Sequence, residues 1–411
     1  MLVEFRVKNF RSFKDEQVLS LVATKDNSLE NNKISTSRKD IPSLLRCAAI
    51  YGANASGKSN LLKAIGCMRL IFAIAVPSPP PVRNHLLDKF KPFLLDSKSP
   101  DSPIAFEVTF LLDTVRYQYS FSWAKERIVS ERLLVYKTAR PQKWFERRFN
   151  EEISDDEYTF SPSLKGDKQS WKEKTAQETL FLWTAAQFNS QQIRPIFEWI
   201  SQKFEVFLNE SPLNIGTHFE HMNYLQYTIN EYKREQTLEN SDSRKILNFM
   251  TSLDTGVTDI KIESNGQLLF VHRTNKGEVA SFSIKDESTG TVQLFNLAGP
   301  VFHVLNKGHI LIIDELDRHF HPLLIRELVK IFHDPEKNRN NAQLIFVTHD
   351  VSLLKANLLR RDQVWFVEKD PQTQESTLYP LSDFKQEDDD MRYLEKDYLV
   401  GCYGAIPFLS D

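Results

Sequence analysis

The chain carries the stretch Gly52-Ala53-Asn54-Ala55-Ser56-Gly57-Lys58-Ser59, in which two glycines stand five positions apart ahead of a Lys-Ser pair. Glycines at these points let the backbone curl until successive N–H groups point inward, and the positive end of a following helix adds to that field. Such a turn cradles phosphate oxygens. A lysine at this place reaches the β- and γ-phosphates of a nucleoside triphosphate, and the serine hydroxyl holds Mg²⁺. The spacing predicts a site built from Gly52, Asn54, Ala55, Ser56, Gly57, Lys58, Ser59 and Asn60, with ATP and Mg²⁺ as its ligands.

Three further patterns bear on the same chemistry. The run Ile310-Leu311-Ile312-Ile313 ends in Asp314-Glu315. A buried strand of this kind delivers two carboxylates to the C-terminal edge of a sheet, where α/β folds bind ligands. Asp314 is placed to orient Mg²⁺ and Glu315 to polarise an attacking water. Alone, such a run is usually a strand meeting solvent; with the glycine loop it reads as catalytic. A second buried run, Leu344-Ile345-Phe346-Val347, ends in Thr348-His349 one crossover helix later, which suits His349 to sensing a γ-phosphate. Finally, Ser288, Gly290 and Thr291 lie at the opening of an apolar helix, another anion cradle and equally good helix-capping chemistry. Their place, shortly before Asp314 in the chain, suits them to close on a nucleotide held by a second subunit.

The elements around these residues follow from hydrophobic period. Residues 2–10 alternate as a strand, and 44–51 form a nearly continuous apolar run suited to a sheet covered on both faces. That run enters the glycine loop, and 60–65 begin a helix. Residues 78–81 are a proline spur, read as a connector. Period-two patterning over 104–137 predicts antiparallel strands. Residues 172–250 lack turn punctuation and are expected to be largely helical, including 181–188 and 193–207, with 230–244 a solvated end or loop. Strands are expected at 257–263, 267–273, 279–284, 309–313 and 343–347, with a helix at 323–332. The alternation after residue 290 predicts an α/β fold with a mixed or parallel sheet, an antiparallel β lobe and a helical insertion. The expected division is 1–160, 161–255 for the insertion, and 256–411.

Composition sets outer bounds. At 411 residues, 41% hydrophobic and 26% charged, the chain reads as globular rather than disordered. A net charge of −3 supplies no global field toward nucleic acid or an acidic membrane. Cys47, Cys67 and Cys402 are odd in number and dispersed, as for reduced cytoplasmic thiols. The N-terminus lacks the build of a signal peptide, and the apolar stretch 70–76 is too short to cross a bilayer, so a cytoplasmic, membrane-free protein is expected.

Taken in order, these motifs resemble the ABC-type ATPase heads shared by SMC proteins, RecF and the OLD-like nucleases. The opening Lys8-Asn9-Phe10-Arg11-Ser12-Phe13 adds to the likeness. More narrowly, the chain is similar to bacterial defence-associated ATPases of the RloA kind and to the ATPase subunit of the PARIS anti-phage system. That likeness rests on YGANASGKSN at 51–60, AAQFN at 185–189, residues 287–291, DELDRHFHP at 314–322 and YLVGCYGAIP at 398–407. It runs from residue 2 to 407 and is weakest across 140–170 and 210–245. The resemblance implies an ATPase in which Lys58 and Ser59 bind phosphate and Mg²⁺, Asp314 orients the metal, Glu315 is the base and His349 the switch histidine. It further implies that Ser288, Gly290 and Thr291 complete a partner's site and that Arg11 lies near the phosphates.

This sequence departs from the wider pattern at two points. The usual L-S-G-G-Q is Glu287-Ser288-Thr289-Gly290-Thr291, and His321 stands where transporter ATPases carry an Asp. The sequence does not place a Gln-loop residue, and Gln118 is no more than a guess at it. Too few residues follow His349 for the TOPRIM domain of OLD-like nucleases, so nuclease activity is expected on a separate effector. Residues 387–390 read as a solvated acidic turn, and His303, His309, His319 and His321 show no spacing coherent with a zinc site. The functional expectation is an ATP-dependent homodimer or higher homo-oligomer that answers a phage-derived trigger and controls a TOPRIM-like or other nuclease. The alternative is a RecF/SMC-like repair ATPase that binds DNA directly.

Overall fold

A computed structural model describes residues 1–74, 89–124, 127–208, 228–229, 242–252, 255–263, 267–318, 320–355, 357–384 and 393–407. The proline spur and the acidic cluster at 387–390 lie outside these residues, as does most of 230–244.

The alternating N-terminus forms β1 (Leu2–Lys8), which turns back as β2 (Gln17–Ser20). A short pair, β3 (Lys33–Ser35) and β4 (Ser43–Leu45), leads into β5 (Cys47–Tyr51), and the glycine loop then joins β5 to a helix at Lys58–Ile74. An antiparallel meander follows: β6 (Ile104–Leu112), β7 (Val115–Ala124), β8 (Arg127–Tyr136), β9 (Gln142–Asn150) and β10 (Asp155–Phe160). The meander joins β1 and β2 in one seven-stranded sheet, ordered β10-β9-β8-β7-β6-β1-β2. The period-two pattern thus continues past 137 through two further strands.

Short helices occupy Lys168–Glu173, Phe181–Gln187 and Arg194–Gln202. Here the reading of 193–207 as one helix needs correction. The helix stops at Gln202, and Phe204–Phe207 forms a strand, β11, parallel to β15 (Ile310–Ile313). Phe-Glu-Val-Phe carries aromatic and β-branched side chains, which favours the pleated edge once a partner strand is present.

The second half supplies a small meander, β12 (Val257–Ile262), β13 (Leu268–Arg273) and β14 (Val279–Ser283), and the helix Thr289–Lys307. After β15 come a helix at Pro322–His333, β16 (Gln343–Val347), β17 (Val364–Lys369) and β18 (Ser376–Pro380). The central sheet runs β11-β15-β16-β5-β17-β18, parallel except at β18.

Side-chain alternation along these strands divides the interior in two. Ala48 and Ile50 of β5, Ile310 and Ile312 of β15, and Ile345 and Val347 of β16 face the core shared with the antiparallel lobe and the helix Lys58–Ile74. Cys47, Ala49, Tyr51, Leu311, Ile313, Leu344 and Phe346 face the other core, with helices Thr289–Lys307 and Pro322–His333. A sheet covered on both faces needs continuous apolar strands, which is why these runs lack polar alternation. Glu131 of β8 ties the lobe to the helical segment. Its fully buried carboxylate accepts from Tyr119 Oη at 2.9 Å and from the backbone N–H groups of Phe181 and Leu182 at 2.6 and 2.8 Å.

Cys47 and Cys67 are buried and Cys402 is exposed; all three are free thiols. Among the described residues, no helix is long and apolar enough to cross a membrane.

Candidate active site

Tyr51 ends β5, and the chain then passes through two glycines whose backbone exclude other residues. Gly52 has φ +149°, and a Cβ there would lie 2.3 Å from the carbonyl oxygen of Val367 on β17. Gly57 has φ +114°, and its Cβ would lie 2.6 Å from Ser376 Oγ and 2.7 Å from Ser12 Oγ. Ala55 between them also adopts a left-handed conformation, φ 60°. The loop is thus pressed against β17, β18 and the first hairpin, with Ser376 Oγ donating to Ser56 O at 2.6 Å. The helix begins at Lys58, and its first turn is closed by Gly57 O, which accepts from the amides of Asn60 and Leu61 at 2.9 and 3.2 Å.

Lys58 curls into that concavity and donates to the carbonyls of Gly52 and Ala53 at 2.8 and 2.7 Å. Burial pulls its ammonium down to about 8, while Asp314, Glu315 and Asp317 push the other way. Ser59 Oγ donates to Asp314 Oδ1 at 3.1 Å. Two cis ligands of an octahedral Mg²⁺ with bonds of ~2.0–2.1 Å stand ~2.9 Å apart, so this hydroxyl–carboxylate pair fits that ion. Burial raises Asp314 above the usual carboxylate range, and the Ser59 bond opposes it.

Immediately after β15, Glu315 adopts φ 49°, an uncommon conformation for a non-glycine residue. The bend lets Leu316 N–H reach Val347 O at 3.0 Å and sets Glu315 Oε2 3.6 Å from Arg318. Strain of this kind gathers at functional sites. From the end of β16, His349 N–H donates to Asp317 Oδ1 at 3.1 Å. Partial desolvation and the Lys58 ammonium hold the His349 imidazole below its ordinary value, against Asp317, Glu315 and Asp314. Parallel register of β5, β16 and β15 therefore brings Lys58, Ser59, Asp314, Glu315 and His349 to one edge of the sheet.

Arg11 precedes Ser12, whose Oγ lies against Gly57. Arg11 has φ 53°, donates its backbone N–H to Lys91 O at 2.8 Å, and lays its guanidinium over the Phe10 ring at 5.6 Å. Its buried Nε has no hydrogen-bond partner among the described residues. Asn60 Nδ2 donates to Ser12 Oγ at 2.9 Å. Asn54 is exposed at the loop tip.

Ser288 caps the helix Thr289–Lys307, accepting from Thr291 N at 3.0 Å and sharing a 2.8 Å bond with Thr291 Oγ1. Gly290 is exposed, and a Cβ there would meet only Ser288 Oγ, at 3.9 Å. This turn's bonds stay within itself and do not lead to the Gly52–Ser59 loop. Gln118 lies within β7, donating to Glu107 Oε1 and accepting from Tyr136 Oη, both at 2.7 Å.

The sequence reading passed over Ser12, Ser376, Asp317 and Tyr398. The first two wall Gly57, Asp317 holds the His349 backbone, and the Tyr398 hydroxyl bonds the backbone of Gly52. Ser12, Asp317 and Tyr398 fall inside the motif stretches 8–13, 314–322 and 398–407 without a role given to them there, and Ser376 comes from β18.

Two of the four histidines come together in space. His303 and His309 converge with Glu205 into a cluster whose ligand atoms lie within 4.8 Å of one another. The three residues come from separate elements, which linear spacing does not register. His321 instead caps the helix Pro322–His333 through Nδ1, and His319 lies outside the described residues.

No curated protein matches the chain. Among solved structures, it is similar to the SMC head domain from Thermotoga maritima, at 13% identity and TM-score 0.44, covering 92% of this chain and 98% of that one. It is also similar to an Smc head domain with a coiled coil and joint derived from Pyrococcus yayanosii, at 12% identity and TM-score 0.44, covering 98% and 99%. The family profile described as "AAA domain, putative AbiEii toxin, Type IV TA system" matches residues 47–355, a span that runs from the strand before the glycine loop to beyond His349. That span is well over half of the chain, and the chain belongs to this family of P-loop AAA domains.

Proposed function

We propose that this chain is an ABC-type ATPase whose ATP-dependent dimerisation holds or releases a separate nuclease or other toxic effector in bacterial anti-phage defence. The specific kinship proposed is with the RloA-like and PARIS ATPases that the sequence resembles. The observation that carries the ATPase reading is the Ser59–Asp314 pair beside Lys58 at the sheet edge. In this reading the Lys58 ammonium leaves the carbonyls of Gly52 and Ala53 for the β- and γ-phosphates. The amides of the Gly52–Ser59 loop line the triphosphate, with Asn60 bracing the loop through Ser12, and Arg11 adds positive charge nearby. Ser59 and Asp314 would hold Mg²⁺, which would supply positive charge against the phosphates when bound. Glu315 orients and deprotonates the attacking water, and neutral His349 donates to the γ-phosphate.

Ser288 and Gly290 stand exposed at a helix N-terminus, with Thr291 buried beneath them, a placement that supports this turn's closing on ATP held by a second copy. Nucleotide would then be the glue of a homodimer or larger homo-oligomer, acting in the cytoplasm under a phage-derived trigger. Glu315→Gln tests this reading. The variant should keep ATP, lose about 100-fold or more in turnover, and accumulate as dimers by light scattering. Turnover at the wild-type rate removes Glu315 as the base, and a strictly monomeric variant at saturating ATP removes the dimer.

A further inference from the structure

Glu205, His303 and His309 meet on the side of the central sheet away from the Asp314 end. Glu205 lies in β11, paired in register with Leu311 of β15. His303 lies near the C-terminal end of the helix Thr289–Lys307, and His309 falls between that helix's Gly308 cap and β15. The His309 backbone is fixed on both sides: its N–H donates to Val304 O at 3.0 Å, and its carbonyl accepts from Gln343 N at 3.1 Å.

Glu205 Oε1 stands 3.6 Å from His309 Nδ1 and 3.9 Å from His303 Nε2, and the two rings cross at 84° with centroids 5.3 Å apart. Both separations exceed a good hydrogen bond. They lie close to the ~3.3–3.4 Å between ligand atoms around a tetrahedral ion with bonds of ~2.0–2.1 Å. His309 Nδ1 is buried and has no hydrogen-bond partner among the described residues. An orphaned buried ring nitrogen is costly, and a metal ion is a natural acceptor of its lone pair.

We propose that Glu205, His303 and His309 bind one zinc-class divalent ion, with water in the fourth position. Two imidazoles and one carboxylate suit zinc, cobalt or nickel, and not the oxygen-seeking Mg²⁺. The site is distinct from the Ser59–Asp314 pair, because β15 separates its N-terminal end, at His309, from its C-terminal end, at Asp314. The ion clamps the end of the helix that begins at Ser288 to the root of the strand that carries Asp314 and Glu315. It also pins β11, which lies at the sheet edge.

The test titrates Co²⁺ into chelator-stripped, tag-free full chain and follows visible absorption, with Zn²⁺ as competitor and thermal melting as a second readout. One Co²⁺ per chain is expected, displaced by Zn²⁺, and Zn²⁺ should raise the melting temperature. His303→Ala and His309→Ala should each weaken binding beyond the roughly 10–100-fold that loss of an outer-shell partner costs. Glu205→Gln keeps size and polarity and serves where an alanine variant does not melt cooperatively. The proposal falls if stripped wild-type chain binds neither ion at one per chain. It falls equally if cooperatively melting variants bind as tightly as wild type.

Discussion

Ser59 Oγ and Asp314 Oδ1 lie 3.1 Å apart although 255 positions separate them in the chain. The pairing arises because β5 and β15 both flank β16 in parallel, so their C-terminal ends open on the same edge. One strand leads into the glycine loop, and the other ends in carboxylates.

Ser59→Ala and Asp314→Asn should each raise the Mg²⁺ concentration needed for half-maximal ATP hydrolysis by about 10-fold or more and lower turnover. Because the two act on one ion, the double variant should lose little beyond the worse single one. Magnesium titrations of steady-state turnover check this, and simple additivity of the losses would separate the residues.

Lys58, held at about 8 by burial, should make ATP binding pH-dependent. Below that value the ammonium is already charged. Above it, the free protein has lost a proton that the bound phosphates require, so affinity should fall by about tenfold per pH unit. Calorimetry at pH 9 in buffers of different ionisation enthalpy should show uptake of one proton on binding.

Gly52→Ala should be more damaging than a typical surface change. Its Cβ would strike the backbone oxygen of Val367, and its φ of +149° strains any side chain. A loss of about 2–3 kcal/mol in denaturant unfolding is expected, with ATP binding lost as the loop shifts off β17.

Burial, with Arg46 nearby, pushes His333 down to about 3, and its ring pairs with Gln363 at 3.1 Å. Its folded value lies below the unfolded value near 6.5, so the unfolded chain binds the extra proton first. Stability is therefore intact above about pH 6.5 and falls as pH drops toward 3, by up to about 5 kcal/mol from this group. Urea titrations across that window check the slope, and His333→Gln should flatten it.

Much of this fold is legible in the sequence where the requirement is local. The glycine loop demands particular residues at fixed offsets, and the apolar runs of β5, β15 and β16 each supply a covered strand. Legibility fails where a partner decides. Phe204–Phe207 satisfies a helix-like hydrophobic count but becomes an edge strand because β15 is there to pair with it. Ser376 is unremarkable in sequence, and Ser12 is legible only as part of the 8–13 stretch; both become walls of Gly57 only when β18 and the first hairpin pack against the loop. Glu205 and His303 lie far apart in sequence, so their meeting is a property of the sheet edge and the helix beside it.

The most direct measurement is calorimetric titration of the purified chain with ATP or a non-hydrolysable analogue in magnesium buffer, alongside Lys58→Ala. Saturable binding by the wild type, lost in a variant that still melts cooperatively, is the predicted result. A wild-type chain with no affinity for adenine nucleotide, or a Lys58→Ala chain that binds it equally well, would contradict the account.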